Sequence, residues 1–200
     1  MLMEQWNLKL FALIHQGAGQ QPLVDGLAIF FAEGGPYLLM LVLVVCWLVA
    51  KDERRPTLLE ATEAGLLGLL TNQFLALLIC YPRPFMVGFG TPLIPHAPEN
   101  SFPSDHATLM LSVAIYLLFS WGWRGSGLLL LLMALATAWG RVYVGIHFPL
   151  DMLGSLLVAL FCSGLVLWQR GLLTSLNGRL VRLYHGLNDA LIQGGKSLRG

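Results

Sequence analysis

The sequence predicts an all-α fold: a polytopic membrane helical bundle with five to six membrane-inserted helices plus interfacial terminal helices. Three observations lead there. Hydrophobic residues make up 56% of the 200 positions. Charged residues make up only 12%, about half the ~25% of a soluble domain. Apolar runs close to the length of a membrane crossing recur along the chain. Together with a mean hydropathy of +0.68, this composition excludes a disordered chain and a polar binding module. The formal net charge of +1 supplies no field for nucleic acid, so no nucleic-acid partner is expected. Cys46, Cys80 and Cys162 stand apart with no paired spacing, and read as small core hydrophobes.

The elements follow in order. Trp6, Leu8, Leu10, Phe11, Leu13 and Ile14 alternate with polar residues, the pattern of an interfacial helix within residues 1–20. Acidic Glu4 and the lack of a basic stretch before a cleavage site argue against a secretory signal peptide. Next come two apolar pieces, 22–32 and 37–50, separated by Gly34-Gly35-Pro36. They form either one kinked crossing or two partly inserted helices. Four clearer crossings follow at about 57–80, 105–121, 125–143 and 149–169, since about 20 residues at 1.5 Å each cover ~30 Å of hydrocarbon. Residues 171–200 place Arg179, Arg182, Lys196 and Arg199 among leucines, a basic amphipathic tail at the membrane surface. The whole chain, 1–200, reads as a single membrane-embedded domain.

Orientation comes from the lysines and arginines beside the crossings, which favour the cytoplasm. Lys51, Arg54, Arg55, Arg124 and Arg170 fall on one side. Loops 81–104 and 141–148 therefore face outward, and their Arg83 and Arg141 run against the trend. Those loops and the helix starts that follow them also hold His96, Glu99, Ser104, Asp105, His106, His147 and Asp151. Singly, each suits an anchor, a cap or a loop charge. Gathered at one rim of a membrane bundle, ionisable residues point to function.

The residue types suit phosphoryl chemistry. Ser104 is placed to cap a helix starting at Asp105, whose free N–H groups and positive dipole end form an anion site. His147 and Asp151 are one turn apart, so the carboxylate can accept Nδ1–H and leave Nε2 free as nucleophile or base. Arg83 and Arg141 supply planar forks for phosphate oxygens. A channel or transporter for anionic lipid or phosphate is the non-enzymatic alternative, and it predicts ionisable residues spread through the bilayer depth.

Arg83-Pro84, then Pro103-Ser104-Asp105-His106, then Arg141 with His147 and Asp151 behind it, resemble the three signature blocks of the type-2 phosphatidic-acid phosphatase superfamily. The stretch from Pro95 to His106, with aspartate where the superfamily usually has glycine, is similar to its bacterial undecaprenyl-diphosphate phosphatases of the bacitracin-resistance type. The resemblance spans about residues 20–170. It implies a hydrolase of the bacterial cell membrane with its active site outside, acting on a polyprenyl diphosphate lipid whose tail stays among membrane lipids. It implies catalysis by His147, His106 and Asp151: His147 attacks phosphorus, Asp151 orients it, and His106 protonates the departing oxygen. Phosphate would be bound by Arg83, Ser104, Asp105 and Arg141, with His96 and Glu99 as accessory residues. No metal or cofactor is implied. Two positions depart from the pattern: Ala76 stands where a lysine usually begins the first block, and Gly140 where a serine usually precedes the third-block arginine. His96 is a candidate to replace the lysine's charge. Phosphatidylglycerophosphate or phosphatidate phosphatase and lipid phosphotransferase activities stay open as alternatives.

Overall fold

A computed structural model describes residues 2–197, with side chains from 4 to 186. Seven α-helices account for most of it: α1 (Leu2–His15), α2 (Pro22–Val49), α3 (Arg55–Leu78), α4 (Asp105–Phe119), α5 (Arg124–Tyr143), α6 (Pro149–Trp168) and α7 (Arg170–Ser197). Short 3₁₀ turns occupy Asp52–Arg54 and Pro84–Val87.

Among the described residues, four helices are long and apolar enough to cross a membrane: α2, α3 with its preceding turn, α5 and α6. Their outer faces carry exposed large hydrophobics such as Leu41 and Val44 on α2, Phe74 on α3, Leu132 on α5 and Phe161 on α6. Apolar surface on that scale belongs against lipid rather than water. α4 has only 15 residues and is the axis of the bundle. It packs on α2, α3, α5 and α6, and every residue from Met110 to Leu117 is buried. A helix apolar on all faces belongs at the centre.

The two apolar pieces before residue 50 form one continuous helix of 28 residues with Pro36 inside it. Proline removes the N–H that would bond the carbonyl four residues back, which here is that of Ala32. That carbonyl instead accepts from Arg141 Nη1 at 3.0 Å, so the interruption is satisfied from α5.

Chain direction puts Lys51, Arg54, Arg55, Arg124 and Arg170 at one end of the bundle, and the loop 79–104 with the N-termini of α4 and α6 at the other. At the first end, fully buried Glu60 accepts from Tyr116 Oη at 2.6 Å and Thr174 Oγ1 at 2.5 Å. Arg170 Nε lies 3.5 Å from the same carboxylate. A buried carboxylate needs such partners, and these fasten α7 to α3 and α4. The C-terminal segment is helical as expected: Asn177 and Val181 are buried, while Leu172, Leu176, Leu180 and Leu183 are exposed. The Lys196 side chain and Arg199 lie outside the described residues.

Candidate active site

At the opposite end, a cavity of about 350 Å³ is lined by Arg83, His96, Glu99, Asp105, His106, Arg141 and His147, together with Asn72, Gln73, Ala76 and Asn100. The lining comes from α3, the 79–104 loop, the first turn of α4, the end of α5 and the turn entering α6.

Two helix starts set the geometry. Pro149 opens α6, and the Asp151 carboxylate folds back to accept the N–H of Phe148 at 2.8 Å. Folded this way, its Oδ2 lies 3.1 Å from His147 Nδ1. Ser101 Oγ donates to Oδ2 at 2.5 Å and sits 3.3 Å from the same ring nitrogen. A carboxylate beside Nδ1 holds the proton there and leaves the lone pair on Nε2. Nε2 lies 3.1 Å from Arg83 Nη1 and 3.2 Å from Arg141 Nη2. His147 is 2% exposed and Asp151 fully buried.

Both arginines are fixed by backbone. Arg83 donates to the carbonyls of Ile146 at 3.0 Å and Asn100 at 3.2 Å, and pairs with Glu99 at 3.5 Å. Arg141 donates to Ala32, and its Nη2 approaches His96 Nε2 at 3.4 Å. Among the described residues, neither guanidinium Nε has a hydrogen-bond partner.

Charge and burial act together on the loop groups. Desolvation, then Arg141 and Arg83, push His147 well below the ordinary histidine value of 6.5. Desolvation and then Arg83 lower His96. Burial lowers Arg83, against the opposing pull of Glu99. The His147 imidazole is therefore neutral, oriented and flanked by two cations.

Of the expected residues, the structure brings Arg83, His96, Glu99, Asp105, His106, Arg141 and His147 to one cavity, with Asp151 directly behind His147. Two expected phosphate ligands have other partners. Ser104 is fully buried outside the lining; its Oγ caps α4 by accepting from the Ala107 N–H at 3.5 Å, and its own N–H donates to Ser155. The Asp105 carboxylate, an acceptor only when ionised, is held by Asn72 Nδ2 at 2.8 Å and Gln73 Nε2 at 3.2 Å.

Sequence reasoning missed Asn72, Gln73, Asn100 and Ser101 as site residues. Asn72 and Gln73 had a signal: adjacent amides inside an apolar crossing. Both departures from the signature pattern fall at the site. Ala76 lines the cavity one turn beyond Asn72 and Gln73. At Gly140, an added Cβ would lie 2.7 Å from the Ala28 carbonyl, so α2 lies too close for a serine there.

Residues 57–175 match the model of the PAP2 superfamily. The chain is 34% identical over 185 residues to the undecaprenyl-diphosphatase BcrC of Bacillus subtilis, covering 92% of this chain and 95% of that protein. It is 36% identical over 170 residues to Escherichia coli YbjG, itself provisionally named an undecaprenyl-diphosphatase, covering 84% and 85%. Among solved structures, Aquifex aeolicus LpxE superposes with a TM-score of 0.64 at 28% identity, over 81% of this chain and 94% of that one. A Bacillus subtilis PAP2-type phosphatidylglycerolphosphate phosphatase gives 0.61 at 20% identity, over 82% and 84%, a likeness of fold alone.

Proposed function

Because this chain belongs to the PAP2 superfamily, we propose that the cavity is the active site of a membrane undecaprenyl-diphosphatase working through a phosphohistidine. The chain is a membrane lipid phosphatase whose curated relatives carry that activity in their names. The observation that carries the proposed route is His147 itself, with Nδ1 on Asp151 and Nε2 between two guanidinium groups.

In the proposed reaction the terminal phosphoryl group enters the cavity and its oxygens take Nη donors that now face Nε2. Nε2 attacks phosphorus, the bridging P–O bond breaks, and the electron pair leaves on the lipid monophosphate. His106, which takes up a proton once the anionic diphosphate offsets Arg141 and Arg83 beside it, gives that proton to the oxygen. Water then attacks the phosphohistidine, His106 takes the water's proton, and the N–P bond breaks to release inorganic phosphate. Arg83 and Arg141, both buried, stabilise the charge that develops on the phosphoryl oxygens. Asp151 stabilises the imidazole as it becomes positive.

We place this site on the outer face of the cell membrane. The lysines and arginines at the other end of the bundle support that orientation. The polyprenyl tail would stay in the bilayer beside the exposed apolar faces, where each methylene is worth ~0.8 kcal/mol.

The test is phosphate release by purified protein in detergent from undecaprenyl diphosphate, phosphatidate and phosphatidylglycerophosphate. The proposal expects the prenyl diphosphate to be turned over fastest, without an acceptor lipid, and terminally labelled substrate to leave an acid-labile phosphoenzyme. Label that stays on His147→Ala would refute the route.

A further inference from the structure

We propose that α1 is a brace that sets the position of His147, with Asn7 and His15 as positioning residues. The family match begins at residue 57, so α1 lies outside it. The inference rests on the nucleophile assigned above and extends it to a helix with no side chain in the cavity lining.

Asn7, Phe11 and His15 recur every fourth residue, which places them along one face of α1. Each touches the turn that carries His147 or the helix end beside it. Fully buried Asn7 accepts the Leu150 N–H on its Oδ1 at 2.9 Å, and its Nδ2 lies 3.4 Å from Tyr81 Oη. Phe11, 2% exposed, meets Phe148 edge to face at 5.3 Å. His15 donates from Nδ1 to the Tyr143 carbonyl at 2.8 Å and stacks on Phe11 at 5.1 Å. The contacts fall at residues 143, 148 and 150, on both sides of the nucleophile.

The turn is shaped to receive the brace. Gly145 has φ +87°, and a Cβ there would stand 2.9 Å from His15 Cε1. A side chain at 145 would be strained and would push against the imidazole. The Leu150 N–H is one of the first-turn donors of α6 that the helix leaves unpaired. Asn7 fills that place from another helix. Fixing this first turn also fixes Asp151, and through Asp151 the ring of His147. The opposite face of α1 exposes Trp6 and Leu13, so the brace has its other side at the membrane interface.

The experiment compares Asn7→Ala, Asn7→Asp, His15→Ala and His15→Asn with His147→Ala, measuring kcat, KM and thermal midpoint in one detergent. A misplacement of order 1 Å can cost ~10²-fold, and partial loosening predicts a kcat loss of about tenfold for each alanine variant with KM moving less than about twofold. The loss must appear at temperatures where the variant remains folded. Asn7→Asp keeps the acceptor and His15→Asn keeps an N–H donor, so both recover most of the turnover. Alanine variants at wild-type kcat, losses confined to KM, or conservative variants as slow as the alanines would overturn the brace. If His147→Ala keeps turnover, the nucleophile assignment itself fails. If His147→Ala is inactive and Asn7→Ala is normal, only the brace fails.

Discussion

Replacing Arg83 with lysine keeps the charge and removes the fork. The guanidinium spans the Ile146 and Asn100 carbonyls while presenting Nη1 to His147 Nε2. An ammonium donates from a single point and cannot reach both carbonyls and the cavity together. Two buried hydrogen bonds to a charged donor are then lost or weakened, each worth about 1.5–3 kcal/mol and not fully additive. A net loss of about 3 kcal/mol in the transition state corresponds to roughly a hundredfold in kcat/KM, at 1.36 kcal/mol per decade. Phosphate release from undecaprenyl diphosphate in mixed micelles, with a thermal midpoint measured on the same preparation, reads the effect. A folded Arg83→Lys enzyme within about threefold of wild type would refute the bidentate role.

Other outcomes follow from the same geometry. His147→Ala should lose nearly all turnover and all phosphoenzyme while still inserting into membranes, as followed by labelled-phosphate trapping and detergent extraction. Ser101→Ala removes a hydrogen bond to the buried Asp151 carboxylate and should lower kcat about tenfold, consistent with a loss of 1–2 kcal/mol; steady-state kinetics check it. For pH, the folded-state value of His147 lies below its unfolded 6.5, so the unfolded chain takes up the proton first as pH falls. This group's contribution to stability is therefore complete above about 6.5 and lost as pH drops through and below it. Thermal midpoints of wild type should fall on acidification more steeply than those of His147→Asn. The route uses no metal, so phosphate release should survive a chelator; its abolition would redirect attention to a bound cation.

The parts of the site written in local spacing were legible in the sequence. His147 and Asp151 needed only a helix beginning between them, and Pro149 supplies it. Ser104 announced its cap, but its side chain is fully buried outside the cavity lining, and sequence spacing does not reveal that. Nothing near Asn72 and Gln73 in the sequence names their partner, Asp105, which sits on another helix. The path of residues 22–49 was ambiguous for the same reason: the carbonyl freed by Pro36 is satisfied by a side chain more than a hundred positions away, and nothing near the proline signals it. Gly140 departs from the signature pattern because the backbone of α2 packs against it, a contact that its neighbours in sequence do not show.

Position 36 sets the enzyme's two requirements against each other. A residue that mends the hydrogen-bond ladder of this crossing would reclaim the Ala32 oxygen and take from Arg141 the backbone anchor that aims it. Pro36→Ala should therefore give a sturdier helix and a slower catalyst, a divergence visible by setting melting temperature beside turnover. Selection for activity would be expected to keep the flaw.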